Sequence, residues 1–540
     1  MRFVAKLAVA TILLVSLGLA QQQPTFRSQS ELVVIPAVVT DHAGAHIANL
    51  KKEDFSVQEN GVDQKITVLE EVYTTTSRVN RPAPQPNHFS NYLTGALTER
   101  RLTIIALDTV NTPLLDQARA KQEMLKFLQD WVSGGEPMSL VVLTRSGVKV
   151  IHDFTTDPKV LAEALKRARN RNEQVAEEPS GEAGPEETAI NTEEQQLFQM
   201  MADAEQNMVA FQRRVSATMT LDAMQQIAQM FGGVPGRKSL LWASSGFPFS
   251  ISDQTMSLST PGRDNVTDIL PLYESTWRAL SDAQIAVYPV DLRGLVTSVP
   301  GADIGRPSRN FPQQAMWNNS ERLATFQIIA QATGGRAFYN TNDLAGAFRK
   351  AADDSSSYYM IAYYRDAKDN KPGWRKLKVA VHRPGAQVRA RSGYFVQKPT
   401  TAEGERRREM MLAVLSPIDY TGIAFTASWK AEAAAAGGKK RIPYELILAA
   451  NMLQVDSADN NHITADFFAV SRTPAGQTAD QRGQTLDAHL TSGNVAQLLH
   501  NGITYENVLE LSPGEYTVRF VVRDQLSGRM GTVSAPLKVE

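Results

Sequence analysis

The sequence predicts a multidomain protein of mixed α/β plus all-β class, and three observations carry this prediction. The chain has 540 residues, which is too long for a single hydrophobic core. Strands alternate with helices between residues 99 and 354, a pattern typical of a parallel sheet covered on both faces. Segments with the two-residue periodicity of β-strands lie on both sides of that region. We therefore expect a doubly wound, mostly parallel sheet inserted in a β-sandwich and followed by a C-terminal β-sandwich.

The composition is that of an ordinary globular protein. Charged residues make up 21% of the chain, hydrophobic residues 42%, and the formal net charge is −1. This charge balance does not favour a nucleic-acid partner or a polybasic membrane surface. The chain contains no cysteine, which excludes disulfides, thiolate metal sites and cysteine nucleophiles.

Residues 1–20 have the pattern of a secretory signal peptide. Arg2 and Lys6 precede an apolar run, and the small residues that end at Ala20 fit cleavage by signal peptidase. The run is short for a membrane span, which needs ~20 apolar residues, and an uncleaved anchor is the alternative. We expect cleavage after Ala20, export to the periplasm or out of the cell, and no transmembrane segment in the mature chain.

Residues 21–98 are predicted to form an N-terminal β segment and a linker. The stretch 29–73 is rich in β-branched residues, and an Asn-Gly dipeptide at residue 60 separates two alternating runs, which predicts a hairpin. Residues 74–97 are rich in Thr, Pro and Asn, a composition typical of a linker. A second β segment occupies residues 355–400. The segments 29–73 and 355–400 are each too small to bury a core alone. We therefore expect the two segments to pair in one sandwich.

Residues 99–354 hold the predicted α/β domain, with almost continuously apolar strands and helices of 3.6-residue periodicity. Two of the helices are followed by Gly-Gly pairs, at 232 and 334, where glycine commonly ends a helix. The stretch 171–196 is acidic and poor in large apolar residues, which predicts a solvated, flexible insertion. Residues 401–540 alternate again between turn residues, which predicts a small antiparallel sandwich.

Six phrases spread over roughly residues 30–400 resemble one known family as a set. They are KKEDFSVQENGVDQKI (51–66), LDTVNTP (107–113), PGRKSLLWASSGFP (235–248), VYPVDLRG (287–294), IIAQATGGRAFYN (328–340) and VRARSGYF (388–395). The α/β block resembles a von Willebrand factor type A domain. The whole set resembles the secreted VWFA-related proteins that are abundant in Acidobacteria. The resemblance implies a binding or adhesion role.

Type A domains carry a metal-ion-dependent adhesion site, so the resemblance implies Mg²⁺ or another divalent cation. In this family, hydroxyls and carboxylates from three loops hold the ion. Mg²⁺ takes six oxygen ligands in an octahedron, and one position can accept a carboxylate from a partner. Loops at the carboxyl ends of parallel strands are where such a site can form.

The first loop matches the family's site in part. Asp108 takes the position of the first aspartate and Thr112 that of a hydroxyl ligand, but Val110 replaces the other hydroxyl. Asn111 adds a side-chain oxygen that lies off the family's register. The residues alone also fit a simpler interpretation, in which Asn111 and Thr112 cap a helix that begins at Pro113.

The second and third loops depart further from the family's pattern. Thr218 fits the register of the second-loop threonine at the start of a helix, with Thr220 as its neighbour. The third loop reads Ser-Ser-Gly at 244–246 where the family has Thr-Asp-Gly, so one carboxylate is missing. Asp291, after the next strand, either compensates for this loss or serves as a turn residue or ion-pair partner.

We therefore predict a degenerate metal site with adjoining partner-binding loops. The predicted ligands of the cation are Asp108, Thr112, Thr218, Ser245 and Asp291. The partner-binding loops are predicted to add Asn111, Ser244 and Gly246.

The sequence shows no zinc helix, nucleophile elbow or phosphate-binding loop of the known patterns. We therefore predict an exported, non-catalytic protein that binds a protein or another macromolecule of the cell envelope. One alternative is a metal-free structural scaffold of the envelope. Another is an envelope hydrolase, which would need converging carboxylates, or a nucleophile with its base, away from the strand-end loops.

Overall fold

The computed structural model describes the chain in fourteen ranges. They are residues 30–73, 87–91, 102–131, 137–168, 192–234, 236–251, 256–259, 269–295, 311–354, 357–366, 371–396, 402–416, 418–456 and 459–540. The predicted signal peptide, most of the predicted linker and residues 171–191 of the predicted acidic insertion lie outside these ranges.

The first described region contains five strands. They are β1 (Ser30–Thr40), β2 (Phe55–Glu59), β3 (Val62–Gln64), β4 (Ile66–Tyr73) and β5 (His88–Ser90). β2 and β3 form the hairpin that the Asn-Gly dipeptide predicts. Asn60 and Gly61 have φ angles of 49° and 84°, which a tight hairpin turn requires and which these two residue types adopt most readily.

The α/β region follows. Its strands are β6 (Leu102–Asp108), β7 (Met138–Thr144), β8 (Gly147–Thr155), β9 (Lys238–Ser244), β10 (Ser250–Ile251), β11 (Leu258–Ser259) and β12 (Ile285–Asp291). Its helices are α1 (Leu114–Asp130), α2 (Pro158–Arg167), α3 (Thr192–Phe231), α4 (Leu270–Asp282), α5 (Phe311–Thr333) and α6 (Leu344–Asp353). Over the described ranges, no helix is both long and apolar enough to cross a bilayer.

A five-stranded sheet forms the centre of this region, in the order β12-β9-β6-β7-β8. Its strands are parallel except for β8, which runs antiparallel to β7 at one edge. Residues of α1, α2 and α6 cover one face, and residues of α3, α4 and α5 cover the other. β6, β9 and β12 are buried along their whole length, as their continuous apolar runs predict. The expectation of a mixed α/β protein is confirmed at this level.

Four strands follow the α/β region. They are β13 (Ser357–Asp366), β14 (Gly373–Val381), β15 (Gln387–Arg389) and β16 (Gly393–Val396). They join the first strands in two sheets, in the orders β15-β1-β13-β4 and β16-β14-β2-β3. Ile35 and Tyr359 of one sheet share a hydrophobic core with Val57 and Leu377 of the other. Each sheet therefore combines strands from both sides of the α/β region.

The C-terminal region is mostly β but begins with a helix. Its elements are α7 (Glu403–Leu415), β17 (Phe425–Trp429), β18 (Ala433–Ala434), β19 (Lys440–Leu448), β20 (His462–Arg472), β21 (Thr478–His489), α8 (Ser492–Asn501), β22 (Ile503–Leu511), β23 (Gly514–Asp524) and β24 (Met530–Val539). One sheet has the order β18-β19-β17-β5 with β22 beside β19, and the other has the order β21-β20-β23-β24.

β5 corrects the interpretation of residues 88–90 as part of a linker. These residues pair with β17, where Ser90 lies opposite Thr426. A composition rich in Pro and Asn indicates only the local conformational preference of these residues. It cannot show that β17, which lies far away in the sequence, has an edge free for pairing. The N-terminal part of the chain is therefore joined to the C-terminal sandwich.

The C-terminal region also packs on the α/β region. Tyr420 and Met530 belong to the same hydrophobic cluster as the buried residues of α3 and α4. The Gly233 amide donates to Thr421 Oγ1 at 2.9 Å, and the Thr421 amide donates to the Gln229 carbonyl at 3.0 Å. The end of α3 is therefore held directly by the C-terminal region.

Lys238, the first residue of β9, is a buried cation. Its Nζ donates to the carbonyl oxygens of Val234 at 2.5 Å and Gly236 at 2.8 Å. Burial disfavours the ammonium form and lowers the pKa of Lys238 to about 7.

This burial predicts a stability that rises with pH. Between pH 7 and the ordinary lysine pKa of ~10.4, the unfolded chain holds a proton that folded Lys238 has released. The free energy of unfolding of the wild type should therefore increase by about 4 kcal/mol over this range, relative to Lys238→Met. Urea denaturation at pH 7, 8.5 and 10 measures the difference, and parallel pH profiles of the two proteins would contradict it.

Candidate functional site

The strand order of the central sheet defines where a site can form. The chain runs from β6 to β7 and β8 on one side, and then returns to β9 and β12 on the other side of β6. The carboxyl ends of β6 and β9 therefore flank the point at which the strand order reverses, where doubly wound sheets bind ligands. Asp108 ends β6 and Ser244 ends β9, so two of the predicted residues lie at this point.

The Asp108 carboxylate is fully buried there and accepts five hydrogen bonds. Oδ1 accepts from the backbone amides of Val110 at 2.9 Å and Asn111 at 3.1 Å. Oδ2 accepts from Asn111 Nδ2 at 2.8 Å, Ser244 Oγ at 2.8 Å and Trp242 Nε1 at 3.2 Å. Both oxygens are thus occupied by donors from β9 and from the loop between β6 and α1.

Two opposing effects act on this carboxylate. Burial removes it from water and raises the pKa of Asp108, which is the larger effect. Hydrogen bonds from Asn111, Ser244 and the Val110 amide favour the ionised form and lower the pKa. The carboxylate is consequently held in one geometry by its donors and closed off from solvent.

Asn111 joins the first loop to α3. Its Nδ2 donates to Asp108 Oδ2 at 2.8 Å and to Thr220 Oγ1 at 2.7 Å. Thr220 Oγ1 in turn donates to the Ser216 carbonyl at 2.9 Å, so it is free to accept from the amide. The amide nitrogen thus lies between a carboxylate and a threonine hydroxyl, the two ligand types that the family resemblance assigns to a cation.

The placement of Thr218 corrects the prediction for the second loop. α3 runs unbroken from Thr192 to Phe231, so Thr218 lies inside a helix and not at its start. Residues two apart on a helix point to nearly opposite sides, and Thr220 is the one that reaches Asn111. The stretch before Thr218 contains no Gly or Pro after Pro185 and consists mostly of good helix formers, which explains the early start of α3.

The other predicted residues form a second group of contacts. Thr112 Oγ1 is buried and accepts from the Ser245 amide at 3.2 Å. Ser245 Oγ donates to Asp116 Oδ2 at 3.1 Å, and the Gly246 amide donates to Ser244 Oγ at 3.2 Å. Asp116 was not predicted, although an aspartate in the first turn of a helix is a recognisable sequence signal.

Asp291 lies beside this group but does not join it. It is level with Ser244 in the parallel ladder between β12 and β9. Its Oδ1 accepts from the amide and Nε of Arg293 at 3.1 and 3.0 Å, and its Oδ2 accepts from Arg293 Nη2 at 2.7 Å. The predicted ion-pair role of Asp291 is therefore the one that its contacts support.

These contacts do not fit a divalent cation. A cation needs lone pairs directed at one point, whereas Asp108 faces N–H and O–H donors and Asp291 is bound by Arg293 on both oxygens. Val110 offers an apolar side chain, and the α3 threonine that contacts the loop is Thr220 instead of Thr218. In the part of the chain that the structure describes, no three histidine or acidic side chains are grouped so that they could hold a metal ion.

An apolar surface borders this edge of the sheet. Leu115 is 86% exposed, Leu295 55% and Leu114 41%. We call these three residues the leucine patch. Leu114 and Leu115 open α1 directly after the first loop, and Leu295 follows β12. The three exposed leucines thus lie on segments that follow β6 and β12 at the edge where doubly wound folds bind ligands, which makes this edge a candidate interaction surface.

Polar contacts hold the two parts of the leucine patch together. Arg119, one turn after Leu115 on α1, donates to the Arg293 carbonyl at 3.3 Å and to Asn342 Oδ1 at 3.0 Å. The Leu295 amide donates to the same Asn342 oxygen at 3.1 Å. Leu115 and Leu295 are therefore carried by segments fixed to a common partner.

Comparison with known proteins adds little to this geometry. No protein-family model matches the chain, and no characterised protein matches it in sequence. Among solved structures, a likeness is found to an aerotolerance-related membrane protein from Bacteroides fragilis NCTC 9343 carrying multiple mutations to serine. The identity is 13%, over 47% of this chain and 98% of that one, with a TM-score of 0.23.

Two further solved structures show weaker likenesses. The ArnB paralog VWA2 from Sulfolobus acidocaldarius is 8% identical, over 90% of this chain and 76% of that one, with a TM-score of 0.20. The human COPII-coat protein Sec24c is 7% identical, over 84% and 46% of the two chains, with a TM-score of 0.18. At these TM-scores the likenesses establish neither a shared fold nor a shared function.

Proposed function

We propose that the chain is a non-catalytic binding protein of the type A kind, whose α/β domain engages a protein partner through its strand-end loops without a metal ion. The leucine patch is the observation that carries this proposal. Exposed apolar side chains beside a rigid, hydrogen-bonded loop supply burial energy on association, and the Asp108 network fixes the loop that leads into α1.

The internal polar network supports binding rather than chemistry at this point of the sheet. Asp108, Asn111, Thr220 and Ser244 are occupied with one another, so their function is to hold the loops in place. The partner is therefore expected to contact Leu115 and its neighbours with apolar side chains and not to supply a carboxylate to an ion.

Export is part of the proposal. The charged start, the apolar run and the small residues before Gln21 support a cleaved signal peptide, and a chain without cysteine needs no disulfides outside the cytoplasm. Fractionation of the producing cell, with sequencing of the mature N-terminus, tests this part. A cytoplasmic protein that retains Met1 would contradict it.

A crosslinking experiment tests the binding surface. A photoreactive amino acid at Leu115 should capture a partner in the producing cell, whereas the same residue at Val160 should not. Val160 is a matched control because it is 40% exposed and lies near the start of α2, which follows the antiparallel strand β8. Capture of the same proteins from both positions would contradict the assignment of the surface.

The affinity of the captured partner then distinguishes the proposal from its alternative. We expect Leu115→Asp together with Leu295→Asp to weaken binding at least tenfold, because charge would be buried at the contact. Val160→Asp and added chelator should leave the dissociation constant unchanged in calorimetric titration. Unchanged binding by the double variant would favour a structural scaffold that makes its contacts elsewhere.

A further inference from the structure

A polar cavity lies where the α/β region, α7 and the C-terminal sandwich meet. Residues of α3, α4 and α7 line it together with the turn between β23 and β24. Its volume is about 70 Å³. One water requires ~10–15 Å³ of such volume. The cavity can therefore hold about five waters, or a ligand with about five heavy atoms.

Two buried polar side chains in the cavity wall have unused hydrogen-bonding groups. Arg523 is 1% exposed, and its Nε and Nη2 bind Glu409 Oε2 at 2.9 and 2.8 Å, but its Nη1 has no partner among the described residues. Gln225 is 8% exposed, and its amide makes no hydrogen bond within the described ranges. Buried polar groups of this kind are normally satisfied, so the cavity is expected to hold a polar occupant.

Charges of both signs also face the cavity without an ion-pair partner. Arg529 donates to Ser527 Oγ at 3.2 Å and to the Met452 carbonyl at 2.9 Å, and it pairs with no carboxylate in the described part of the chain. Glu405 on α7 forms no ion pair with any described residue. Arg529 and Glu405 interact with Asp524 and Arg408 only at longer range, so among the described residues neither charge is neutralised by a direct ion pair.

The whole lining is nearly balanced in charge. It contains four arginines and three acidic residues, namely Arg278, Arg408, Arg523, Arg529, Asp282, Glu405 and Glu409. A dianion such as phosphate would meet three carboxylates in this wall. A ligand that carries one charge of each sign would find a complement for both.

We propose that this cavity binds a small zwitterion of the size of a free amino acid. Guanidinium groups bind carboxylates in bidentate geometry, so Arg523 Nη1 and Arg529 would hold the carboxylate. Glu405 would hold the ammonium group, and the Gln225 amide can donate to one group and accept from the other. The site is separate from the strand-end loops and does not depend on their proposed function.

Calorimetric titration of the full mature chain with glycine and L-alanine tests this site. We expect saturable binding of one or both, and at least tenfold weaker binding of acetate and ethylammonium, which each lack one of the charges. Inorganic phosphate should not compete. Failure of both amino acids to bind, or tighter binding of phosphate, would overturn the proposal and leave a cavity filled by water.

Variants separate the site from unspecific binding. Arg529→Gln and Glu405→Gln should each weaken amino-acid binding at least tenfold, whereas Arg407→Gln should not. Arg407 is a matched control because it lies on the same helix as Glu405, is 77% exposed and does not line the cavity. Arg523 is left intact, since its removal would leave Glu409 without its cation. Equal binding by all three variants would overturn the assignment of these residues.

Discussion

Asp108→Ala is expected to lower the free energy of unfolding of the α/β region by about 4 kcal/mol. The substitution removes the common acceptor of Asn111, Ser244 and Trp242, and of two backbone amides, inside a fully buried site. The Trp242 indole and the two backbone amides would lose this acceptor inside the protein, whereas Asn111 would keep Thr220 and Ser244 would keep the Gly246 carbonyl. Urea denaturation followed by tryptophan fluorescence measures the loss, because Trp242 itself reports on this site.

Two comparison variants test whether the loss of stability comes from the hydrogen bonds that Asp108 accepts. Asp108→Asn keeps one oxygen for the backbone amides but turns an NH₂ group toward the other donors, so about half of the loss is expected. Asp130→Ala, at the exposed end of α1, should change stability by less than ~0.5 kcal/mol. A loss with Asp108→Ala no larger than that with Asp130→Ala would contradict the hydrogen-bonded account of the site.

The same proteins test the metal question. If donors of the chain satisfy Asp108, chelator treatment and added Mg²⁺ should leave the wild-type melting temperature unchanged. A melting temperature that falls with chelator and recovers with Mg²⁺ in the wild type, but not in Asp108→Asn, would show that a cation displaces Asn111 from the position it holds.

Gly233→Ala is expected to destabilise the protein by about 3 kcal/mol. A Cβ at this position would lie 1.9 Å from the carbonyl oxygen of Thr421. The neighbour is backbone and cannot turn away as a flexible side chain could. The clash would also disturb the hydrogen bond from the Gly233 amide to Thr421 Oγ1, so the contact between α3 and the C-terminal region should loosen.

Gly404→Ala provides the control for this prediction. Gly404 lies in α7, and a Cβ there would meet nothing within 4 Å. Gly404 is the second residue of α7, where alanine is favoured over glycine by less than the roughly 0.5–1 kcal/mol of a helix interior, so this variant should be at least as stable as the wild type. Differential scanning calorimetry of both variants measures the contrast. Equal melting temperatures would show that the backbone around Gly233 and Thr421 can shift to accommodate a Cβ without loss of stability.

Local features of the chain can be predicted from the sequence because they depend on residues that are close together in it. The Asn-Gly dipeptide fixed the hairpin between β2 and β3, since few other residues adopt positive φ at both turn positions. The apolar runs that end at Asp108, Ser244 and Asp291 predicted buried strands, and all three strands are present. Gly334, predicted to close a helix, follows α5 with φ +79°.

The hydrogen-bond partners of the candidate-site residues could not be predicted from the sequence in this way. Whether Thr218 or Thr220 faces the first loop depends on the rotational phase of α3, and this phase is fixed by packing against the sheet. The sequence predicts Asn111 in a partner-binding loop, with a side-chain oxygen that lies off the family's register. The structure instead directs its amide nitrogen inward, where a buried carboxylate needs a donor.

The sequence by itself determined most of the strands and helices of the α/β region, and that Asp108 stands at the end of a buried strand. Only the tertiary structure decided which side chains meet there, because the contacts of Asp108 with Trp242 and Ser244 join residues more than a hundred positions apart. The same holds for the pairing of β1 with β13. Residue preferences act over a few neighbours, whereas these contacts are selected by the burial that the whole chain achieves at once.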